Sequence, residues 1–135
     1  MTPENIDKLI LEALEARKAS YCPYSGFAVG AALLTEDGRV YHGANIENAS
    51  YTPTVCAERV AFFKAVSAGE RNFRAIAIVG GNADMPISDF TPPCGVCRQV
   101  MSEFCKADFK VILTDGNKSK LFTLAELFPE VFTLN

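Results

Sequence analysis

Ile6, Leu9, Ile10, Ala13 and Leu14 recur at the three- and four-residue spacing of a single helix face. Thr2 stands before them as a cap and Pro3 takes the first helical position, so a helix is predicted from there to about Ala19. Tyr21-Cys22-Pro23-Tyr24-Ser25-Gly26 is turn chemistry and ends it. Ala28 to Thr35 then reads as a buried strand, Asp37-Gly38 as a hairpin turn and Val40 to Asn45 as the returning strand.

The second half repeats the alternation. Pro53 and Thr54 are expected to open a helix that runs to about Ala68 and stops at Gly69. Ala75 to Val79 is a continuous apolar strand ended by Gly80-Gly81, and Asn82 to Thr91 is a loop. Pro92-Pro93 leads into a helix from Cys94 to about Phe104. Lys110 to Leu113 forms another strand, Asp115-Gly116 a turn, and a short strand is expected around Leu121. Thr123 and Glu126 make a capping box for a short last helix, ended by Pro129. Strands alternating with helices imply an α/β domain layered around a mixed sheet, with the first hairpin as its antiparallel pair.

Composition narrows the class. The 135 residues fit one domain spanning 1–135, and 49% hydrophobic content lets it bury a core without disulfides. The polar, acidic start, Met1-Thr2-Pro3-Glu4-Asn5, does not read as a secretory signal, so a reducing cytoplasm is the expected setting. There, closely spaced members of the five cysteines read as metal ligands. The longest apolar run, Ala28 to Leu34, is strand-sized and far short of the roughly 18 residues of a membrane span. Net charge is -3, the sequence pI is about 5.1, and Lys and Arg are scattered, with Lys118 and Lys120 a local pair near the C-terminus. That distribution argues against a nucleic-acid polymer and for a small uncharged substrate.

The candidate chemistry lies in Cys56-Ala57-Glu58 and Pro93-Cys94-Gly95-Val96-Cys97. Three protein ligands can hold a zinc ion while a fourth position serves water, and a neighbouring carboxylate can move protons. Cys94 and Cys97, one helical turn apart at a helix start, can face one metal, and first-turn N–H groups favour their thiolates. Residues i and i+2 do not face each other inside a helix, so Cys56 is expected at the very first turn of its own helix. A Cys-x-Glu followed by Pro-Cys-x-x-Cys is the signature of zinc nucleobase deaminases, with the glutamate as acid and base. Glu58 is the candidate proton carrier; an ordinary exposed helix acid is the alternative. Three thiolates weaken zinc as a Lewis acid, and a guanidinium bonded to sulfur would restore it. Arg59 is the first candidate for that role and Arg98 the second, each with a plain surface arginine as the alternative. Cys22 and Cys105 read as buried small hydrophobes. His42 reads as a solvated strand-end residue, against the tetrahedral Cys₃His structural site that it could complete.

Cys56-Ala57-Glu58-Arg59 together with Pro93-Cys94-Gly95-Val96-Cys97-Arg98-Gln99 resembles the small homotetrameric cytidine deaminases. The resemblance extends through Tyr21 to Leu33, through Asn45-Ile46-Glu47-Asn48-Ala49-Ser50-Tyr51, and through Glu126 to Phe132, with Phe128 where a leucine is common. It implies a three-layer α-β-α sandwich around a mixed five-stranded sheet. It implies one Zn²⁺ per chain on Cys56, Cys94 and Cys97, with Glu58 shuttling protons. It implies that Asn45 and Glu47 bind the sugar hydroxyls, that Phe27 packs against the base, and that the Ala57 backbone reads the pyrimidine edge. Phe132, and with it Tyr51, would reach into a neighbouring subunit's site in a homotetramer. The reaction implied is hydrolytic deamination of cytidine and 2′-deoxycytidine to the uridines, with release of ammonia, in pyrimidine salvage. The nearest rival is a blasticidin-type aminonucleoside deaminase, which shares the zinc motif. A structural-zinc interaction module is the rival from another class.

Overall fold

The computed structural model describes residues 1–134. Helix α1 (Pro3–Arg17) starts as the pattern predicts: Thr2 Oγ1 accepts from the Asn5 N–H at 3.1 Å, and Pro3 opens the first turn. After it come β1 (Phe27–Thr35), β2 (Val40–Ala44), α2 (Ala57–Ser67), β3 (Phe73–Asn82), α3 (Gly95–Phe104), β4 (Lys110–Thr114), β5 (Ser119–Thr123) and α4 (Leu124–Leu127). The strands form one five-stranded sheet in the order β2-β1-β3-β4-β5. β3 and β4 pair in parallel and every other neighbouring pair is antiparallel, so the sheet is mixed, as expected.

Helices cover both faces, which is why the central strands read as continuous apolar runs. On one face Leu9 and Ala13 of α1 pack against Ala32, Ala75, Ala77, Val79 and Ile112. On the other, Ala57, Ala61, Phe62 and Ala65 of α2 join Met101 of α3 and Leu124 of α4 over Ala31, Leu33, Ile76, Ile78, Val111 and Leu113. The result is the expected three-layer α-β-α sandwich. Phe62 anchors the second core, with ring centroids 5.2 Å from Phe73, 6.0 Å from Phe109 and 6.3 Å from Phe104.

Two strand glycines set how closely the helices approach. A Cβ on Gly30 would stand 2.2 Å from the Ala13 carbonyl oxygen of α1, and one on Gly43 would stand 2.1 Å from the Ala57 carbonyl oxygen of α2. The second contact matters for chemistry, because Ala57 is the first residue of α2. Arg17, at the end of α1, donates to the carbonyls of Ala28, Gly81, Asn82 and Met85 and so fixes the chain as it leaves β3.

Two boundaries differ most from the sequence expectation, each by at least three residues. Helix α2 starts at Ala57 rather than near Pro53 and Thr54, because Val55 exchanges both backbone hydrogen bonds with Ile46 in an antiparallel bridge. β3 continues through Gly80-Gly81 to Asn82, because both glycines pair in register with Val29 and Ala28. Among the described residues, no helix is long and apolar enough to cross a membrane.

Candidate active site

Cys56 and Cys94 each occupy the residue before a helix, the N-cap positions of α2 and α3, with extended backbone. Neither side chain caps its helix, so both sulfurs are free for other use. Cys97 sits in the first turn of α3, one turn beyond Cys94. The three Sγ atoms lie within 4.8 Å of one another, with Cys56 and Cys94 3.7 Å apart. Among the described residues, the group contains no fourth His, Cys, Asp or Glu donor. Soft, convergent thiolates with one coordination position left for a small molecule suit zinc in a catalytic rather than a structural setting.

The sulfurs already act as a unit. Hydrogen bonding from Cys97 holds the Cys56 thiol down at about 5; burial opposes this, and Arg59 and Cys94 add to it. The Cys97 thiol is pushed up, chiefly because it is the donor to Cys56 and also because it is buried. Arg59 Nη2 donates to Cys56 Sγ at 3.4 Å, as the charge argument expects, while its Nε is buried without a partner. Arg98 donates to no sulfur. Its guanidinium bonds the carbonyls of Pro93 and Leu127.

Glu58, the second residue of α2, is only 4% exposed. Burial raises its carboxyl to about 7; its own backbone N–H opposes the shift, the nearby Cys56 charge adds to it, and a hydrogen bond from Cys97 opposes it. A carboxyl in that range can both accept and release a proton near neutrality. The exposed-acid alternative is thereby removed. Ala57, between ligand and acid, is fully buried.

The other expected residues have partners of their own, and the hollow that Glu47 and Tyr51 line includes none of the three thiols. Phe27 begins β1, is 39% exposed, and its ring would lie 3.1 Å from a Cβ on Gly80. Asn45 is buried and heavily used: Oδ1 accepts from Ser20 Oγ at 2.5 Å and Val29 N–H at 2.9 Å, and Nδ2 donates to the Phe27 carbonyl at 2.8 Å. One Nδ2 hydrogen is left for a ligand. Glu47 accepts from the N–H groups of Tyr24 and Ser25 and from Ser25 Oγ. The Ser25 hydroxyl leads in holding its carboxyl below the usual range. Glu47, Tyr24, Ser25, Asn48, Tyr51 and Thr54 line a hollow of about 350 Å³. Tyr51 lies on its rim, exposed and with a left-handed φ of 62°. Phe132 is exposed, and its carbonyl accepts from Gln99 Nε2.

His42 bonds Glu12 through Nε2 at 2.6 Å and lies outside the thiol group. Cys105 packs against the α2–α3 core, and burial raises its thiol. Cys22 is half-buried and also outside the thiol group. The sequence reading did not anticipate Ser20 as the partner of Asn45, or Ser25 as the partner of Glu47. Only Ser25's place in a turn before a strand hinted at a side chain free to bond elsewhere.

The family model described as "Cytidine and deoxycytidylate deaminase zinc-binding region" matches residues 3–113. A relative from Sporosarcina psychrophila named cytidine deaminase is 51% identical over 131 residues, covering 96% of this chain and 92% of its own. Another of that name from Halalkalibacterium halodurans is 54% identical over 127 residues, covering 93% and 92%. The crystal structure of cytidine deaminase from Burkholderia pseudomallei superposes with a TM-score of 0.84 at 47% identity, covering 98% of this chain and 100% of that one. The matched region is a zinc-binding one, and the Cys56, Cys94 and Cys97 thiols are the donors that fit one zinc ion per chain. With its thiol cluster, its buried acid and a match over most of its length, this chain belongs to the cytidine and deoxycytidylate deaminase family.

Proposed function

We propose that this chain catalyses the hydrolytic deamination of cytidine and 2′-deoxycytidine to uridine and 2′-deoxyuridine. The observation that carries the reading is the buried Glu58 carboxyl set against a three-thiol group that offers no fourth protein ligand. A structural zinc module would close the metal with a fourth side chain and would have no use for a buried acid beside it.

The zinc ion supplies Lewis acidity that makes water a nucleophile at neutral pH. The chain's own residues handle the protons. Glu58 takes one proton from the attacking water and gives it to N3 of the pyrimidine, so that the water oxygen can bond to C4. Glu58 then takes the remaining proton of the new C4 hydroxyl and passes it to the amino group. The C4–N4 bond breaks, ammonia leaves and the 4-keto pyrimidine remains. Arg59, bonded to the Cys56 sulfur, draws charge from the thiolates and limits the loss of acidity that three of them impose.

Substrate roles follow the same reading. Phe27 supports the base and the Ala57 backbone meets its pyrimidine edge. Asn45 and Glu47 take the sugar hydroxyls, Asn45 through its free Nδ2 hydrogen and Glu47 through the acceptor capacity left by Tyr24 and Ser25. Exposed aromatic side chains at Tyr51 and Phe132 favour a homotetramer in which each reaches a neighbour's site. We assign the whole chain to a single domain in a cytoplasmic enzyme of pyrimidine salvage. Its net charge of -3 favours free nucleosides over a polynucleotide.

The test is the ultraviolet absorbance of cytidine with purified, zinc-assayed protein, together with ammonia detection. Conversion to uridine with one zinc per chain supports the proposal. Intact cytidine in the presence of bound zinc, or turnover of blasticidin S alone, overturns it.

A further inference from the structure

Arg98 lies next to Cys97 yet donates its hydrogen bonds to carbonyls and not to a sulfur. Its Nε donates to the Pro93 carbonyl at 2.7 Å and its Nη1 to the Leu127 carbonyl at 2.5 Å. Its backbone N–H donates to the Cys94 carbonyl at 3.0 Å. One residue therefore fixes the carbonyl of the ligand Cys94 and the carbonyl just before it. The same guanidinium holds the end of α4, where a helix leaves carbonyls without partners. The adjacent Gln99 holds the Phe132 carbonyl at 3.2 Å. The chain from Leu127 to Phe132 is thus tied at both ends to the N-terminal half of α3, which carries Cys97.

We propose that Arg98 is a positioning residue that sets the Cys94 ligand loop and the C-terminal segment relative to each other, so that retention of the metal and docking of residues 127–134 depend on one side chain. The planar, rigid fork of a guanidinium can bridge two carbonyls, whereas a lysine ammonium on a flexible stem serves one at a time. Loss of the fork leaves Pro93, which is buried and has no N–H to turn inward, with an unsatisfied carbonyl. Because Cys94 follows Pro93 directly, a shift of that carbonyl is passed on to the ligand. The proposal rests on the zinc reading of the site but not on which nucleoside the enzyme takes.

The test compares zinc-loaded wild type with R98M, R98K and L9A, the last removing a buried side chain from the opposite face of the sheet. Two quantities are read: the rate of zinc transfer to a chromogenic chelator, and hydrogen exchange in residues 127–134 by mass spectrometry. R98M is expected to release zinc on the order of 10-fold faster, the lower end of what removing a partner of a metal ligand costs. Its C-terminal exchange should rise in step, and R98K should fall between it and wild type. L9A should lower Tm while leaving both readouts at wild-type values. Zinc release from R98M at the wild-type rate overturns the proposal, as does equally fast release from L9A. If R98M cannot be purified folded, R98K decides alone, and wild-type release from R98K overturns the proposal. Cytidine turnover by the wild type is recorded in parallel. Absent turnover with fast zinc loss from R98M would sink the deaminase reading and leave this one standing; the reverse pattern would do the opposite.

Discussion

Cys56 Sγ lies 3.7 Å from Cys94 Sγ, although 38 residues separate them, because each residue stands at the start of a helix on the same face of the sheet. The contact is made by topology. The first helix after the β1–β2 hairpin and the first helix after β3 both end their approach over the same central strands, and their first turns converge.

Removing one sulfur should dismantle the centre. C94A is expected to bind less than stoichiometric zinc and to lose deamination with it, as read by metal analysis of the dialysed protein. Stoichiometric zinc on C94A would take Cys94 out of the ligand set. Because Cys94 is exposed, the variant should still fold when zinc is supplied in excess.

Glu58 should separate metal binding from turnover. E58Q keeps the size of the side chain and removes the proton carrier, so zinc content should match wild type. Turnover should fall by about 10² to 10⁴-fold, the range for loss of a general acid or base. A rate near wild type would refute the proton-carrying role. Because the lost charge is a buried one, thermal stability should hold or rise.

Gly43 should be sensitive without touching any ligand. An added methyl would stand 2.1 Å from the Ala57 carbonyl and 2.6 Å from the Ala61 nitrogen, both backbone atoms of α2. G43A is expected to destabilise by about 1–3 kcal/mol, the usual range for overpacking, as measured by urea denaturation. It should also weaken zinc retention, since the displaced turn carries Glu58 and follows Cys56 directly. Wild-type stability would mean that α2 can move without cost.

The C-terminal capping box predicts a pH dependence. The Thr123 N–H and hydroxyl bond the Glu126 carboxylate, and the backbone bond leads in holding that carboxyl below its ordinary 4.5. A carboxyl lowered in the folded state adds stability that is present above pH 4.5 and lost as pH falls through the lowered value. Wild type should therefore be more stable than E126Q at neutral pH, with the gap closing in acid below pH 4.5. A gap that is constant with pH would assign the difference to shape rather than charge.

Much of the sheet and the thiol centre could be read from the sequence. Apolar runs, the Asp37-Gly38 turn and the Thr123–Glu126 box each leave a local trace, and Cys-x-Glu with Pro-Cys-x-x-Cys carries its spacing in the chain. The start of α2 was misplaced because the Val55–Ile46 bridge depends on a partner nine residues away, which Pro53 and Thr54 do not reveal. The bonding of Arg98 leaves no sequence trace for a similar reason. Its partner Leu127 lies 29 residues along the chain, and a side chain bonding a distant carbonyl leaves no periodicity to detect. Asn45 was singled out, but its engagement with Ser20, Val29 and Phe27 shows only when those elements meet.

The sheet has one face covered by α1 and one that carries every thiol of the centre. Lys8 and Leu11 stand exposed on α1, whose buried side packs on the face of the sheet opposite α2 and α3. Fluorophores, affinity handles or surface tethers placed there would report on or immobilise the enzyme without entering its reaction chamber. The opposite face offers no such liberty, because there even a methyl group on Gly43 presses on the turn that holds the acid.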